Sequence, residues 1–236
     1  MKIRLVGDVH GKFHAYKERI LQEDVDASIQ LGDFGFAQEW YKLIRHKIDP
    51  ERHKIIPGNH EDYHGIRADY TFGTDWGTRN FHGLDFWFIR GAYSVDVEWR
   101  TIGISWWPQE EIEYKFLEMA IEQFSDEKPE IVLAHECPGD HTGISTLMFQ
   151  KNFIPNRTAS ALNQMWNNHK PKLWIFGHWH ENKVYDAMGT TFICLDELDY
   201  VDYEIEEHIG NDISWNIVKL KEQMRKLYNK RHPLRW

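Results

Sequence analysis

Five short apolar runs in the chain each end beside side chains that can bind a metal ion. Four of the runs end in glycine and the fifth in alanine, and glycine there permits a sharp turn and close backbone approach. Each run predicts a short buried strand. In chain order, the residues that follow the runs are Asp8, His10, Asp33, Asn59, His60, His135, His178 and His180. Because sites in α/β sheets form beyond the carboxyl ends of strands, we expect these residues to meet.

The residue types suit a pair of transition-metal ions. Imidazole nitrogen and carboxylate oxygen are ligands that manganese, iron and zinc accept. A site rich in histidine and aspartate, without a thiolate, fits a two-metal hydrolytic centre whose ions lie about 3.5 to 4 Å apart. Residues i and i+2 of an extended segment point the same way, so Asp8 and His10 can bind one ion together.

The motifs and their order resemble the calcineurin-like metallophosphoesterase superfamily. The matching pieces are Gly7-Asp8-Val9-His10-Gly11, Gly32-Asp33, Gly58-Asn59-His60-Glu61, His135 and Gly177-His178-Trp179-His180. They span residues 7 to 180, about three quarters of the chain. A second stretch, with Ser94-Val95-Asp96, Trp99-Arg100 and Ser105-Trp106-Trp107-Pro108, is similar to a group of small bacterial and phage metallophosphoesterases.

The resemblance implies a role for each ligand. Three residues would hold the first ion, three the second, and Asp33 would bridge both. The first set is Asp8, His10 and His180, and the second is Asn59, His135 and His178. A hydroxide between the ions would be the nucleophile, its pKa lowered by both charges. The implied cofactors are two divalent transition-metal ions, with manganese favoured and iron, zinc or nickel as alternatives.

His60 has a different implied role. In the family, the histidine after the asparagine ligand does not bind metal. It stabilises the transition state or protonates the leaving group, and such help is worth about 10²- to 10⁴-fold. We therefore expect His60 to be the catalytic residue among the histidines of the motifs.

The second motif departs from one branch of the family. Phosphoprotein phosphatases and dinucleoside tetraphosphatases carry Gly-Asp-x-x-Asp-Arg-Gly, whereas residues 32 to 37 read Gly-Asp-Phe-Gly-Phe-Ala. The missing arginine would clamp a phosphomonoester, which favours a phosphodiesterase or a small-molecule phosphatase. Arg157, placed unfavourably in the first turn of a predicted helix, and Arg90 are the candidate substrate-binding cations. Trp106 and Trp107 could form an aromatic wall for a base, or simply pack in the core.

The pattern of elements predicts an α/β fold. The opening βαβαβ pattern favours a parallel sheet with right-handed crossovers, and later strands indicate a second sheet. We expect a four-layer αββα sandwich of two mixed sheets flanked by helices, as the resemblance also implies, in a single domain over residues 1–236. Further strands are predicted at 86–89, 92–95, 184–185, 190–195 and 215–218. Helices are predicted at 13–22, 37–48, 110–124, 156–169 and 219–229, the last within a basic C-terminal segment at about 219–236.

Charge and composition limit the partners and the compartment. The formal net charge of −9 argues against broad nonspecific nucleic-acid binding, so nucleic acid is a disfavoured partner. An acidic segment at 196–207 precedes the basic one, which would be a docking tail, a neighbour of the acidic segment or a solvated helix face. No stretch approaches the roughly 18 to 20 apolar residues of a membrane span. The first strand begins at the start of the chain, so we expect a cytoplasmic protein.

Three functions fit this sequence. The leading hypothesis is a dinuclear metal-dependent phosphoesterase acting on a phosphodiester, a nucleotide phosphoester or another small phosphorylated metabolite. A phosphomonoesterase or protein phosphatase is the first alternative, and the missing arginine argues against it. The second is a non-catalytic scaffold of the same fold, such as a retromer subunit, and the complete ligand set argues against it. The sequence leaves the oligomeric state open.

Overall fold

A computed structural model describes residues 1–205 and 212–231. Its β-strands are β1 Lys2–Val6, β2 Ala27–Gln30, β3 His53–Ile55, β4 Trp76–Phe81, β5 Leu84–Ile89, β6 Ile131–Ala134, β7 Leu173–Phe176, β8 Lys183–Ala187, β9 Thr190–Cys194 and β10 Tyr200–Glu204. Its α-helices are α1 Phe13–Ile20, α2 Ala37–Arg45, α3 Tyr114–Glu127, α4 Ile144–Phe149, α5 Arg157–Asn168 and α6 Ile213–Arg231. No helix within these described ranges has the length and apolarity needed to cross a membrane.

The strands form two mixed sheets. The first has the order β10-β1-β2-β3, in which β1, β2 and β3 are parallel and β10 is antiparallel to β1. The second has the order β4-β5-β6-β7-β9-β8, with a parallel centre and an antiparallel strand at each edge. This arrangement confirms the predicted sheets.

Apolar side chains fill three layers between and outside the sheets. Successive residues of a strand face opposite sides, so Ile131 and Leu133 of β6 lie in the core between the sheets while Val132 and Ala134 lie under helices. α3 and α5 cover the outer face of the second sheet, where Phe124 and Leu162 are buried. α1 and α2 cover the first sheet. The four-layer αββα sandwich is therefore confirmed.

Two predicted strands are wrong. Residues 92–95 form a loop whose polar groups bond to side chains rather than to a strand. Residues 215–218 lie inside α6, where Ile213, Asn216, Leu220 and Met224 are buried at helical spacing. A short apolar run alone does not distinguish a strand from a helix segment. The predicted helix at 110–124 starts later, at Tyr114, after a 3₁₀ turn.

Ion pairs join the acidic segment to the basic C-terminal helix. Lys219 lies 2.9 Å from Glu204, and Arg231 pairs with Asp196 and lies 2.8 Å from Asp199. The acidic segment contains β10, whose Val201 and Tyr203 face the core. Of the three interpretations of the charge pattern, the structure shows the one in which the acidic and basic segments lie next to each other. The remainder of the predicted basic segment, residues 232–236, lies outside the described residues.

Candidate metal centre

Residues at the ends of five parallel strands meet between the two sheets. Asp8, Asp33 and Asn59 follow β1, β2 and β3 of the first sheet, while His135 and His178 follow β6 and β7 of the second. The first four of these side chains are buried. The strand ends thus deliver the predicted ligands to one place, as the site rule for α/β sheets predicts.

The ligand atoms form two groups that share one carboxylate. One group contains Asp8, His10, Asp33 and His180, and the other contains Asp33, His135 and His178; within each, the ligand atoms lie within 4.8 Å of one another. Asp33 Oδ2 lies 3.6 Å from His10 Nε2, while Asp33 Oδ1 lies 3.1 Å from His135 Nε2. Each oxygen of Asp33 therefore faces a different group.

Asn59 belongs beside the second group. Its Oδ1 lies 3.1 Å from His135 Nε2, and its Nδ2 donates a hydrogen bond in the opposite direction, to Ser94 Oγ at 3.0 Å. The amide oxygen, which is the only atom of that amide able to bind a cation, thus faces the same point as the imidazole.

The donor set fits metal ions on two structural grounds. Asp8 Oδ2 is buried without a hydrogen-bond partner among the described residues, although His180 Nε2 lies 3.0 Å away. The Nε2 atoms of His10 and His180 also face each other at 2.8 Å. Atoms with lone pairs converging at such distances suit a shared cation better than a network of hydrogen bonds.

The backbone around the ligands is unusual. His10, Asp33, His178 and His180 all have positive φ, between 45° and 66°. Few residues other than glycine adopt this left-handed conformation, and such residues cluster at functional sites. The fold therefore holds these side chains in uncommon positions.

Two glycines of the motifs give the ligands room. A Cβ on Gly32, whose φ is +102°, would lie 2.2 Å from the His135 ring. A Cβ on Gly177 would lie 2.2 Å from Asp8 Oδ1. The predicted need for glycine after a strand is explained by these close approaches.

The buried charges shift the pKa values of the ligands. Burial lowers the pKa of His135, but the carboxylate of Asp33, with Asp8 and Glu61 further away, outweighs it and raises that pKa to about 10. Burial raises the pKa of Asp33, and the surrounding histidines, His135 foremost, bring it well below its usual value. A bound cation would replace the imidazolium proton as the countercharge, since histidine binds metal in its neutral form.

A family profile identifies the chain. The calcineurin-like phosphoesterase profile matches residues 1–182, which is more than half of the sequence. The chain belongs to the calcineurin-like phosphoesterase family. It is accordingly a phosphoester hydrolase of a family that works with divalent metal ions, as the motif resemblance implies.

Several solved structures are similar to this phosphoesterase at low sequence identity. A dimetal phosphatase from Danio rerio is 14% identical, with a TM-score of 0.51 over 84% of this chain and 88% of the other. An archaeal phosphodiesterase is 14% identical, with a TM-score of 0.40 over 86% and 98%. A conserved uncharacterized protein from Streptococcus pneumoniae, described as a predicted phosphoesterase, is 11% identical, with a TM-score of 0.40 over 87% and 83%. A search of curated proteins gave no match.

His60 lies beside both ligand groups without joining either. Its Nε2 is 4.0 Å from Asp33 Oδ2, and its ring packs edge-on against His10 with centroids 4.9 Å apart. Its backbone N–H donates to Asp33 Oδ1 at 2.7 Å. Burial, with a smaller effect of the Arg100 charge, outweighs the opposing effect of Asp33 and lowers the pKa of His60 to about 4.

Arg100 is the cation of the phosphoesterase site that sequence reasoning missed. Its Nη2 contacts His60 Nε2 and lies 2.7 Å from Asp96 Oδ1. Guanidinium is always charged and can only donate, so His60 Nε2 accepts this hydrogen bond. Arg100 stands in the stretch that resembles the smaller group of metallophosphoesterases, but nothing in its spacing distinguishes it from the other arginines.

The two arginines proposed from the sequence lie elsewhere. Arg90 bonds to Asp75 at 2.6 Å and lies over the Tyr63 ring. Arg157 donates to the backbone carbonyl of Glu111 at 2.9 Å. Neither side chain lines the cavity beside the ligand groups, so the structure does not bring these two candidates to the site.

A cavity of about 430 Å³ adjoins the ligand groups. Its wall combines site residues with apolar and polar side chains, among them Tyr93, Val95, Phe153, Ile154 and Trp179. Trp179 stacks on Phe149 with centroids 4.1 Å apart.

The predicted wall of Trp106 and Trp107 is not part of this cavity. Trp107 is buried, with its ring 5.8 Å from that of Phe36. The core-packing alternative therefore describes Trp107, and the aromatic surface beside the ligands comes from other residues.

Two buried glutamates support the third motif. Glu61 accepts hydrogen bonds from the N–H groups of Phe34 at 2.6 Å and Gly58 at 2.8 Å, which ties the second motif to the third. Burial and the charge of Asp33 raise the pKa of Glu61 to about 8. Glu110 bonds to Ser94, and burial raises the pKa of Glu110 to about 6, partly offset by that bonding.

Proposed function

We propose that this phosphoesterase is a phosphodiesterase that works with two divalent transition-metal ions, and that manganese is the favoured metal. The observation that carries the proposal is the position of Asp33, whose two oxygens face two separate groups of ligand atoms. When bound, the ions would activate water for attack on phosphorus and neutralise charge on the phosphate. Nitrogen ligands favour Mn²⁺ over Mg²⁺, which prefers oxygen.

The residues of the chain divide the remaining work. One ion would be held by Asp8, His10 and His180, the other by Asn59, His135 and His178, and Asp33 would contact both. His60 and Arg100 stand together at the edge of these groups. A guanidinium fixed there would offer positive charge to a phosphate oxygen, while His60 would assist the leaving group or the transition state.

The residues that line the cavity favour a diester substrate, in which phosphorus carries an organic group on each side. Asp96 and Glu136 are part of the cavity wall. Lys151 is also part of the wall, and its ammonium group lies 3.1 Å from the Glu181 carboxylate. A dianionic monoester would therefore meet little further positive charge beyond the ions and Arg100. Stacking of a base or ring on a partly exposed aromatic side chain such as Trp179 would contribute about 1–3 kcal/mol.

The test combines metal removal with a substrate comparison. Protein stripped of metal should be inactive, and Mn²⁺ should restore activity better than Mg²⁺. At saturating Mn²⁺ and one pH, kcat/KM should be higher on bis-p-nitrophenyl phosphate than on p-nitrophenyl phosphate. Full activity after verified removal of metal would contradict the two-metal proposal. A tenfold preference for the monoester would contradict the diesterase proposal alone.

A further inference from the structure

A buried chain of hydrogen bonds runs outward from Asn59. Asn59 Nδ2 donates to Ser94 Oγ at 3.0 Å, and Ser94 Oγ donates to Glu110 Oε2 at 2.7 Å. The other carboxylate oxygen of Glu110 accepts the Ser94 backbone N–H at 2.9 Å. All three residues are at most 3% exposed. Ser94 lies in the stretch, Ser94 to Pro108, that is similar to a group of small metallophosphoesterases, and Glu110 follows it by two residues.

The donors and acceptors in this series of hydrogen bonds fix which way the Asn59 amide points. A carboxylate only accepts hydrogen bonds, so the Ser94 hydroxyl proton must point at Glu110. Ser94 Oγ is then left with lone pairs alone on the side of Asn59, and it can only accept. The NH₂ group of Asn59 must therefore face Ser94, and Oδ1 must face His135, where it lies 3.1 Å from Nε2.

A reversed amide would be unable to bind an ion. The NH₂ group has no lone pair available to a cation, so a flip would remove one ligand from the second group. The loop is also held tightly at its start, because Gly91 N–H donates to Pro57 O at 2.8 Å and a Cβ on Gly91 would lie 2.1 Å from Glu110 O. Ser94 and Glu110 thus cannot easily shift away from Asn59.

We propose that Ser94 and Glu110 are positioning residues that set the orientation of the Asn59 amide and so the affinity of the second ion. This inference rests on the proposed two-metal function. It assigns a task to the loop after β5, where a strand at residues 92–95 was wrongly predicted. Outer partners of metal ligands typically change metal affinity by about 10- to 100-fold when they are removed.

Glu110→Gln is the most specific variant. A glutamine keeps the volume but has an acceptor oxygen at only one of the two positions where the N–H and the hydroxyl of Ser94 meet different oxygens of Glu110. When its oxygen takes the N–H, its NH₂ faces Ser94 Oγ and the serine proton is released toward Asn59. The amide of Asn59 can then flip. Ser94→Ala removes the acceptor altogether, while Ser94→Thr retains a hydroxyl and should restore function.

The experiment measures Mn²⁺ binding by calorimetry on the full chain, together with the Mn²⁺ concentration that half-activates hydrolysis. The affinity for one of the two ions should fall about 10- to 100-fold in Glu110→Gln and Ser94→Ala, and activity should recover at high Mn²⁺. Ser94→Thr should stay close to the parent protein. Ser28→Ala is the matched control, because Ser28 is also buried and bonds to His53 Nδ1 at 2.9 Å, away from the ligand groups.

The outcomes separate this inference from the proposed function. If the parent protein binds no Mn²⁺, the two-metal function fails. If the parent binds two ions and Glu110→Gln binds both with unchanged affinity, only the positioning role fails. An equal loss in Ser28→Ala would also overturn it, since a general weakening of the core would then explain the result. Should Ser94→Ala not fold, the comparison of Glu110→Gln with Ser94→Thr decides the question.

Discussion

The two ligand groups share Asp33 but differ in their contact with solvent. In the first group the His180 side chain is 50% exposed and that of His10 is 20% exposed. In the second, which we call the closed group, His135 is fully buried and Asn59 is 3% exposed. The first group, here the open group, has the more exposed histidines, although its Asp8 is buried; in the closed group the His178 side chain is 16% exposed.

The closed group also has more support from the rest of the fold. His135 Nδ1 lies 2.7 Å from Leu31 O, Asn59 bonds to Ser94, and His178 Nε2 lies 3.4 Å from Glu136. Such partners fix the orientation of a ligand before the metal arrives. Among the histidines of the open group, His180 has only other site residues as its described hydrogen-bond or ion-pair partners. We therefore expect the closed group to bind its ion more tightly and exchange it more slowly.

Asp33→Asn should have the largest effect because it removes the residue common to both groups. Asparagine tolerates the positive φ of 56° at this position, so the backbone can persist. Its amide has one oxygen with lone pairs and cannot face both groups. The bound Mn²⁺ should fall at both groups, and kcat/KM should fall by more than about 10²-fold, beyond the loss from removing an outer partner.

Metal analysis after gel filtration, together with kinetics, measures this effect. Asp69→Asn, an exposed aspartate away from the site, is the control. If Asp33→Asn keeps two ions at parental affinity, the shared-ligand arrangement is wrong.

His60→Ala should separate catalysis from metal binding. His60 contacts Asp33 through its backbone N–H and meets Arg100 through its ring, but it joins neither ligand group. The metal content of the variant should stay near that of the parent, while kcat falls about 10²-fold or more. His64→Ala, in the same loop and bonded to Trp107 Nε1 at 3.4 Å, is the control and should change kcat little. Loss of metal from His60→Ala would place His60 among the ligands instead.

The candidate ligands could be picked out from the sequence because each one lies within four residues of the end of a strand. The strand, the glycine and the ligand are adjacent in the chain, so the local pattern carries the information. Arg100 could not be found in this way. It reaches His60 across 40 positions of sequence, and only the path of the loop after β5 brings the two together. Ser94 and Glu110 were hidden for the same reason.

The fold was predictable where the periodicity was clear and failed where it was not. The parallel strands and the helices α1, α2 and α5 follow from apolar runs and helical spacing. β10 was missed because its acidic residues concealed the alternation, in which Asp202 pairs with the buried Arg4 at 2.7 Å. Residues 215–218 were assigned to a strand because an apolar run of four residues fits either structure.

His178→Ala and His180→Ala test the comparison most directly and should have the smallest effects. The two histidines flank Trp179 and belong to different ligand groups. Both have positive φ, so the backbone cost of alanine is similar in the two variants. Water can take the place of His180, which is half exposed, more easily than that of His178, whose side chain is 16% exposed. The affinity for one ion should therefore fall by at least about tenfold in His180→Ala, the lower end of what the loss of an outer partner costs, and by more in His178→Ala. Calorimetric titration with Mn²⁺ and the rate of metal loss to a chelator measure both. A larger loss in His180→Ala than in His178→Ala would mean that the exposed group is the tighter one, and burial would not explain the difference between the two groups.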